Sequence, residues 1–191
     1  MSCRFPSERG QLSAAQQAVY DLIAARRGAV PPPYLPLLAS PETADALEKF
    51  SATLWSGRLG KDVQEAIYLV TARAYRCDYQ WHSHESKALA AGVPQAAVDS
   101  LRSGELPTEA QAGLKLAAAI RFAGSVHTLQ AVPDEVFDKV TACLDEAEVS
   151  ELAGFCALAA AIATLLNVRQ TCSTSSRAAR RIDLRRLHES S

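Results

Sequence analysis

The sequence lacks an excess of charge of either sign, and this absence narrows the choice of partners. Its 191 residues carry 20 Lys and Arg against 21 Asp and Glu, a formal net charge of −1. Nucleic acids and anionic membranes recruit proteins through basic surfaces, so we expect no nucleic-acid and no membrane partner. The chain begins MSCRFPSERGQL, which lacks the apolar segment of a secretory signal.

The spacing of the cysteines does not predict a set of disulfides or of zinc ligands. There are five of them, an odd number, and no two have Cys-x-x-Cys spacing. They stand at positions Cys3, Cys77, Cys143, Cys156 and Cys172. This arrangement argues against a disulfide framework or a zinc knuckle, and it predicts a reducing, cytoplasmic compartment.

Strand patterns and long apolar runs are missing as well. No alternation of apolar and polar residues is long enough to predict a sheet. The longest uncharged run, from Leu152 to Val168, holds 17 residues, whereas a membrane-spanning helix usually needs about 20. Because the run is rich in alanine, we expect a helix buried in the core or in a subunit interface.

Signals for helices are abundant. Ser13 to Gln16 fits a capping box, and Ser40-Pro41 fits an N-cap followed by proline at the first helical position. The VPPPY run at residues 30–34 predicts a break and an extended connection. The predicted fold is all-α, with helices at about residues 12–23, 41–57, 61–75, 78–92, 94–104, 107–124, 133–144 and 147–168.

These signals divide the chain into three parts. Residues 1–11 are an N-terminal extension, residues 12–168 are the helical domain, and residues 169–191 are a basic tail. The tail is rich in Ser, Thr and Arg, and we expect it to be mobile or to form a short basic helix from Arg177 to Leu187.

The stretch CDYQWHSHESKALAAGV, residues 77–93, places a thiol, two imidazoles, a phenol and an indole within its first eight residues. If Asp78 caps the helix that follows, four side chains project from roughly one face. They are Cys77, Gln80, Trp81 and His84. Backbone N–H groups at a helix N-terminus favour a thiolate and can lower the pKa of Cys77. The alternative is an inert, half-buried cysteine, with Tyr79 and Trp81 as packing residues.

The two histidines of this stretch do not predict a metal site. His82 and His84 are two residues apart, so they point about 200° apart around a helix. Zinc-binding helices instead place histidines four residues apart, and a third ligand is still needed. We therefore expect no metal.

Glu65 lies twelve residues before Cys77 in the apolar segment KDVQEAIYLVTARAYRC. A carboxylate in a buried segment must be solvated, paired or functional. If the chain turns near residues 76–78, two antiparallel helices bring Glu65 back to Cys77 and His84. A Glu beside a His is an acid–base pair with a defined tautomer. The alternatives are that Glu65 only meets the helix dipole and that His84 is satisfied by backbone.

The segment EAIYLVTARAYRCDYQWHSHESKALAAGV, residues 65–93, resembles the carboxymuconolactone decarboxylase family, which is related to the alkylhydroperoxidase D-like proteins. Its matching positions are Glu65, Tyr79-Gln80-Trp81, His84, Ala88 and Gly92. The likeness extends over most of residues 12–168. It implies a small all-α domain that assembles into a homo-oligomer, a dimer, trimer or hexamer.

The sequence departs from this resemblance at Gln80. The family has a glutamate between the tyrosine and the tryptophan, and Gln80 cannot carry its charge. The hydroperoxidase branch has two cysteines three residues apart and a histidine four residues later. Cys77 and His84 match the first cysteine and the histidine, but Gln80 stands at the second cysteine, so the resolving thiol is missing.

The resemblance implies a cofactor-free lyase that releases CO2 from a small cyclic or lactone carboxylic acid. In this interpretation His84 is the proton donor or oxyanion partner, Glu65 orients it or relays the proton, and Cys77 is a further catalytic candidate. The candidates for substrate binding are Gln80, Tyr79, Trp81 and His82. Two alternatives stay open: a thiol-dependent peroxidase that uses Cys77, and a non-catalytic oligomeric partner protein.

Overall fold

The computed structural model describes Phe5, residues 8–127 and residues 132–169. Over these residues the chain is helical and forms no strand, so the predicted all-α fold is confirmed. The α-helices are α1 (Ala14–Arg27), α2 (Pro41–Trp55), α3 (Lys61–Ala74), α4 (Asp78–Ala90), α5 (Gln95–Ser103), α6 (Glu109–Ala112), α7 (Leu114–His127), α8 (Asp134–Thr141) and α9 (Glu146–Arg169). The predictions for residues 170–191 lie outside the described residues.

The start of the helical domain follows its capping signals. The Ser13 side chain accepts from the backbone N–H of Gln16, and the Gln16 side chain accepts from the backbone N–H of Ser13 at 2.8 Å, so the predicted capping box is confirmed. Pro41 opens α2 as expected, but the Ser40 side chain contacts Thr43 at 2.8 Å instead of capping the backbone. Local sequence therefore sets both helix starts, with one cap formed differently.

The proline-rich segment is a 3-10 helix, Pro32–Ala39, and the prediction of an extended connection was wrong. Proline fixes φ near the value that a 3-10 helix needs and is tolerated in a first turn. The apolar residues that follow, among them Leu35 and Leu38, are buried. Their burial stabilises a compact turn over an extended strand.

A small N-terminal core forms where α1, the 3-10 helix and α2 meet. Its buried members are Leu12, Ile23, Tyr34, Leu35, Leu38 and Ala44. Next to it, Arg27 Nε donates to Glu48 Oε2 at 2.6 Å, and the same guanidinium donates to Ser51 Oγ at 2.8 Å. The Glu48 carboxylate is 1% exposed. A charge so buried requires a partner, so this pair holds α1 against α2.

The helix α3 is the centre of the main core. Every residue from Val63 to Arg73 is buried, and α3 packs against α4, α7 and α9. A chain that passes through the middle of a helical domain is apolar on nearly all sides. Any polar side chain on α3, Glu65 included, is therefore held among neighbouring helices instead of facing water.

Two further details differ from the predictions. The segment predicted as one helix over residues 107–124 divides into α6 and α7 at Gly113, whose φ of 80° favours glycine. The residue that caps α4 is Cys77, and Asp78 is the first residue inside the helix. Asp78 thus acts through its charge in the first turn instead of as the cap.

The helix α9 contains the apolar run from Leu152 to Val168. Within the described residues it is the one helix long and apolar enough to cross a membrane by length and composition, a test that core helices of soluble proteins also pass. Leu152, Phe155 and Leu158 are fully buried. The interior of the domain thus covers one side of α9.

Candidate active site

The chain reverses between α3 and α4, and this turn brings Glu65 and His84 together. Arg76, at φ 51°, forms the tight part of the turn. His84 Nδ1 lies 2.7 Å from Glu65 Oε2, and the side chains are 13% and 9% exposed. Because the carboxylate can only accept, Nδ1 carries the proton of this hydrogen bond. The imidazole therefore presents Nε2 on the side away from Glu65.

Two aromatic rings fix the plane of the His84 imidazole. Tyr68 stacks on it with 4.1 Å between ring centroids and 11° between planes. Trp55 lies 6.4 Å away at 15°, and it also stacks on Tyr68 at 5.5 Å. The sequence analysis missed both rings. Tyr68 could have been found, because it lies three residues after Glu65 on the same face of α3; Trp55, on α2, gave no local signal.

Contacts at the α2–α3 turn hold Trp55 in place. Lys61 Nζ donates to the Trp55 backbone oxygen at 2.6 Å and lies 5.0 Å from the centroid of its ring. Across the turn, the Glu151 carboxylate accepts from the backbone N–H groups of Arg58 at 2.7 Å and Leu59 at 3.1 Å. The wall of the site is therefore tied to both α3 and α9.

Cys77 lies in the same turn but is deeply buried. Its residue is 3% exposed. Burial raises the pKa of the Cys77 thiol, and the backbone N–H groups of Gln80 and Tyr79 only partly oppose that rise. The expectation that the helix N-terminus lowers this pKa was wrong, because desolvation of a thiolate outweighs the backbone dipoles. The thiol is the stable form in this structure.

Gln80 is buried, and in the sequence it lies three residues after Cys77 and four residues before His84. Its Nε2 donates to the Tyr68 backbone oxygen at 3.1 Å. Its Oε1 is buried and has no hydrogen-bond partner among the described residues. An unsatisfied buried acceptor costs about 1–3 kcal/mol, so Gln80 ties α4 to α3 while keeping one acceptor free.

The other predicted substrate-binding residues have different surroundings. Trp81 Nε1 donates to Glu85 at 2.9 Å, and the Trp81 ring lies 5.7 Å and 5.8 Å from the guanidinium carbons of Arg73 and Arg102. Trp81 thus contacts these charged groups instead of the His84–Glu65 pair.

His82 and Tyr79 have surroundings of their own. His82 is exposed and bonds the Asp78 backbone oxygen at 2.7 Å. Tyr79 is partly buried against the main core. Among the residues that the structure describes, no group of three or more His, Cys, Asp or Glu side chains could hold a metal ion.

His127 lies at the end of α7, and packing around it changes the pKa of its imidazole. Its Nε2 lies 2.8 Å from Thr71 Oγ1, and the Thr71 hydroxyl itself donates to the Ile67 backbone oxygen. His127 Nε2 must therefore carry the donated proton. Burial lowers the pKa of His127 from 6.5 to about 4.

We expect His127 to make the fold sensitive to acid. A histidine with a depressed pKa in the folded state is fully stabilising above pH 6.5, and its contribution is lost as the pH falls towards 4. The loss amounts to roughly 2–3 kcal/mol by pH 4.5. Urea unfolding at pH 7 and pH 4.5 should show a smaller loss for His127→Gln than for wild type. Equal losses in both proteins would contradict the prediction.

Comparison with solved structures identifies the class of fold. Over 90% of this chain and 91% of the other, the apo debrominase Bmp8 superposes with a TM-score of 0.70 at 17% identity. A cysteine-to-alanine variant of Bmp8 in complex with 2,3,4-tribromopyrrole superposes with a TM-score of 0.70 at 16% identity. The match covers 92% of this chain and 93% of the other. A third structure is an alkylhydroperoxidase D core, an uncharacterized peroxidase-related protein from Ralstonia eutropha JMP134. It superposes with a TM-score of 0.62 at 19% identity, over 87% of this chain and 89% of the other. The fold is alkylhydroperoxidase D-like.

Part of the sequence matches a known family. Residues 41–124, which span α2 to most of α7, match the carboxymuconolactone decarboxylase family. Over these residues the chain is similar to that family, and the predicted resemblance is confirmed. No curated protein matches the chain.

Proposed function

We propose that this protein is a cofactor-free, decarboxylase-type lyase that acts on a small cyclic or lactone carboxylic acid. The observation that carries the proposal is the 2.7 Å hydrogen bond between His84 Nδ1 and Glu65 Oε2. A buried imidazole with one nitrogen fixed by a carboxylate and the other left to a ligand is the arrangement of a general acid–base catalyst. The family match of residues 41–124 supports this class of reaction.

The reaction needs little beyond a proton and a place for negative charge. The bond from the γ-carbon to the carboxylate breaks, CO2 leaves, and the electron pair passes to the conjugated carbonyl as a dienolate. The pair then returns to carbon, which takes a proton from Nε2 of His84. Glu65 holds the ring orientation and stabilises the imidazolium before the proton leaves, as a carboxylate does for a catalytic histidine. Solvent restores the proton afterwards.

A direct assay tests the proposal. Purified protein is incubated with γ-carboxymuconolactone and with related lactone acids, and CO2 release is measured. A hydroperoxide-consumption assay with added thiol runs in parallel. Release of CO2 without added cofactor is the expected result. Absence of activity in both assays would favour the hypothesis of a non-catalytic oligomeric partner protein.

A thiol-based reaction is the second candidate. What favours it is Cys77 in the turn that joins the helices of Glu65 and His84, together with structural neighbours that include an alkylhydroperoxidase D core and a debrominase variant lacking a cysteine. In a peroxidase the thiolate attacks the peroxide, becomes a sulfenic acid and is reduced by an external thiol. Burial of Cys77 and the raised pKa of its thiol weigh against this candidate.

Cys77→Ser separates the two candidates. For proton-transfer chemistry we expect CO2 release close to wild type, because oxygen preserves the shape of the side chain. For thiol chemistry the same change abolishes turnover, because a serine hydroxyl cannot reduce a peroxide. Thiol-dependent peroxide consumption that disappears in Cys77→Ser would overturn the first proposal in favour of the second.

The remaining expectations belong to the same proposal. They are a small-molecule substrate, a cytoplasmic location and assembly into a homo-oligomer. The last of these is supported by the apolar helix α9, of which the single chain buries only one side.

A further inference from the structure

The proposed reaction leaves one chemical role unassigned. A dienolate places negative charge on the carbonyl oxygen, and such charge is stabilised by fixed N–H or O–H donors. His84 cannot serve throughout the reaction, since Nδ1–H is bound to Glu65 and the proton on Nε2 is the one delivered to carbon. A separate donor close to the imidazole is needed.

The Tyr68 side chain has the position for this role. Its ring lies 4.1 Å from the His84 ring and is parallel to it within 11°. The phenol oxygen is attached to a ring whose face covers the imidazole, so the hydroxyl and the imidazole are close neighbours. Tyr68 follows Glu65 by one turn on α3, and its backbone oxygen accepts from Gln80. Contacts from α4 thus hold both the ring and the backbone of Tyr68.

The Tyr68 hydroxyl can also donate a hydrogen bond. Burial raises the pKa of this hydroxyl, with the indole of Trp55 and the charge of Arg27 opposing the rise. The phenol is therefore protonated at neutral pH. The indole N–H of Trp55 can only donate, so it opposes the rise of this pKa by favouring the phenolate. No hydrogen bond among the described residues uses the phenol as a donor.

We propose that Tyr68 is a catalytic oxyanion donor, whose hydroxyl binds the carbonyl oxygen of a planar, conjugated lactone while His84 delivers the proton to carbon. This inference rests on the proposed function and names the substrate class of the same site. The substrate carries an α,β-unsaturated carbonyl, since only then does the departing electron pair reach an oxygen that Tyr68 can bind.

Tyr68→Phe tests the role, since it removes the hydroxyl and keeps the stacked ring. We expect kcat for CO2 release to fall on the order of 10²–10³-fold with KM nearly unchanged, and thermal unfolding to stay near wild type. The matched control is Tyr75→Phe, at the end of α3, where the ring meets His127 edge-on at 5.6 Å. The control should keep its kcat. A kcat for Tyr68→Phe equal to the control would overturn the proposal.

A binding measurement tests Tyr68 without relying on turnover. The probe is 4-nitrophenolate, a planar oxyanion whose visible absorption reports hydrogen bonding to its oxygen. Wild type and Tyr75→Phe should bind it with a shifted spectrum, and Tyr68→Phe should bind it on the order of tenfold more weakly. Equal binding by Tyr68→Phe, or no binding by wild type, overturns the oxyanion role. Absence of CO2 release alone counts against the proposed lyase and leaves the binding result to decide on Tyr68.

Discussion

His84→Ala should lower the rate of CO2 release on the order of 10²–10⁴-fold, the usual contribution of a general acid or base. The change removes the only histidine that contacts Glu65 among the described residues and leaves the reacting carbon without a proton donor. Substrate binding should weaken less than kcat falls, because the aromatic wall of Trp55 and Tyr68 remains. Steady-state kinetics on protein checked for its helical circular dichroism measures both effects.

A second histidine provides the control for this experiment. His127 is also partly buried and hydrogen-bonded, but to Thr71. At pH 7 His127→Gln should keep the kcat of wild type. If His84→Ala released CO2 as fast as His127→Gln, proton transfer by His84 would be excluded.

Glu65→Gln should be the second severe change, with a loss on the order of 10²-fold. The amide has nearly the same volume as the carboxylate, so packing within α3 is preserved. What is lost is the negative charge that stabilises the imidazolium and selects the tautomer with its proton on Nδ1. The loss should appear in kcat across the neutral pH range.

Glu48 provides a matched buried carboxylate. It is 1% exposed and pairs with the Arg27 guanidinium at 2.6 Å instead of with an imidazole. Glu48→Gln should lower the free energy of unfolding, because Arg27 loses its charged partner, and should leave turnover per folded molecule intact. Equal kinetic losses in Glu65→Gln and Glu48→Gln would indicate that burial of charge in general, and not the His84–Glu65 pair, supports activity.

The variants together distinguish the two candidate chemistries. Proton transfer predicts that His84→Ala and Glu65→Gln are severe and that Cys77→Ser is mild. Thiol chemistry predicts the reverse order for Cys77. The structure favours the first order, because Gln80 stands at the position of the second cysteine and the Cys77 thiol is desolvated.

The pairing of Glu65 with His84 could be predicted because it depends on local rules. Helical periodicity sets which residues of α3 and α4 share a face, and a short turn at residues 75–77 makes the two helices antiparallel neighbours. Nineteen residues separate the two side chains, and that spacing across one turn returns the second to the first. Capping at Ser13 and Pro41 was equally local.

The sequence by itself thus determined the all-α fold, the resemblance to a known family and the spacing that brings Glu65 and His84 together. Only the tertiary structure decided the direction in which the pKa of Cys77 moves, the stacking of Trp55 and Tyr68 on His84, and the placement of Trp81 between two arginines. The physical reason is that desolvation and ring contacts depend on which helices pack around a residue. Trp55 reaches the site from α2, and the α2–α3 turn is held by Glu151, 92 residues away from Leu59 in the chain. No periodicity within a single helix carries that information.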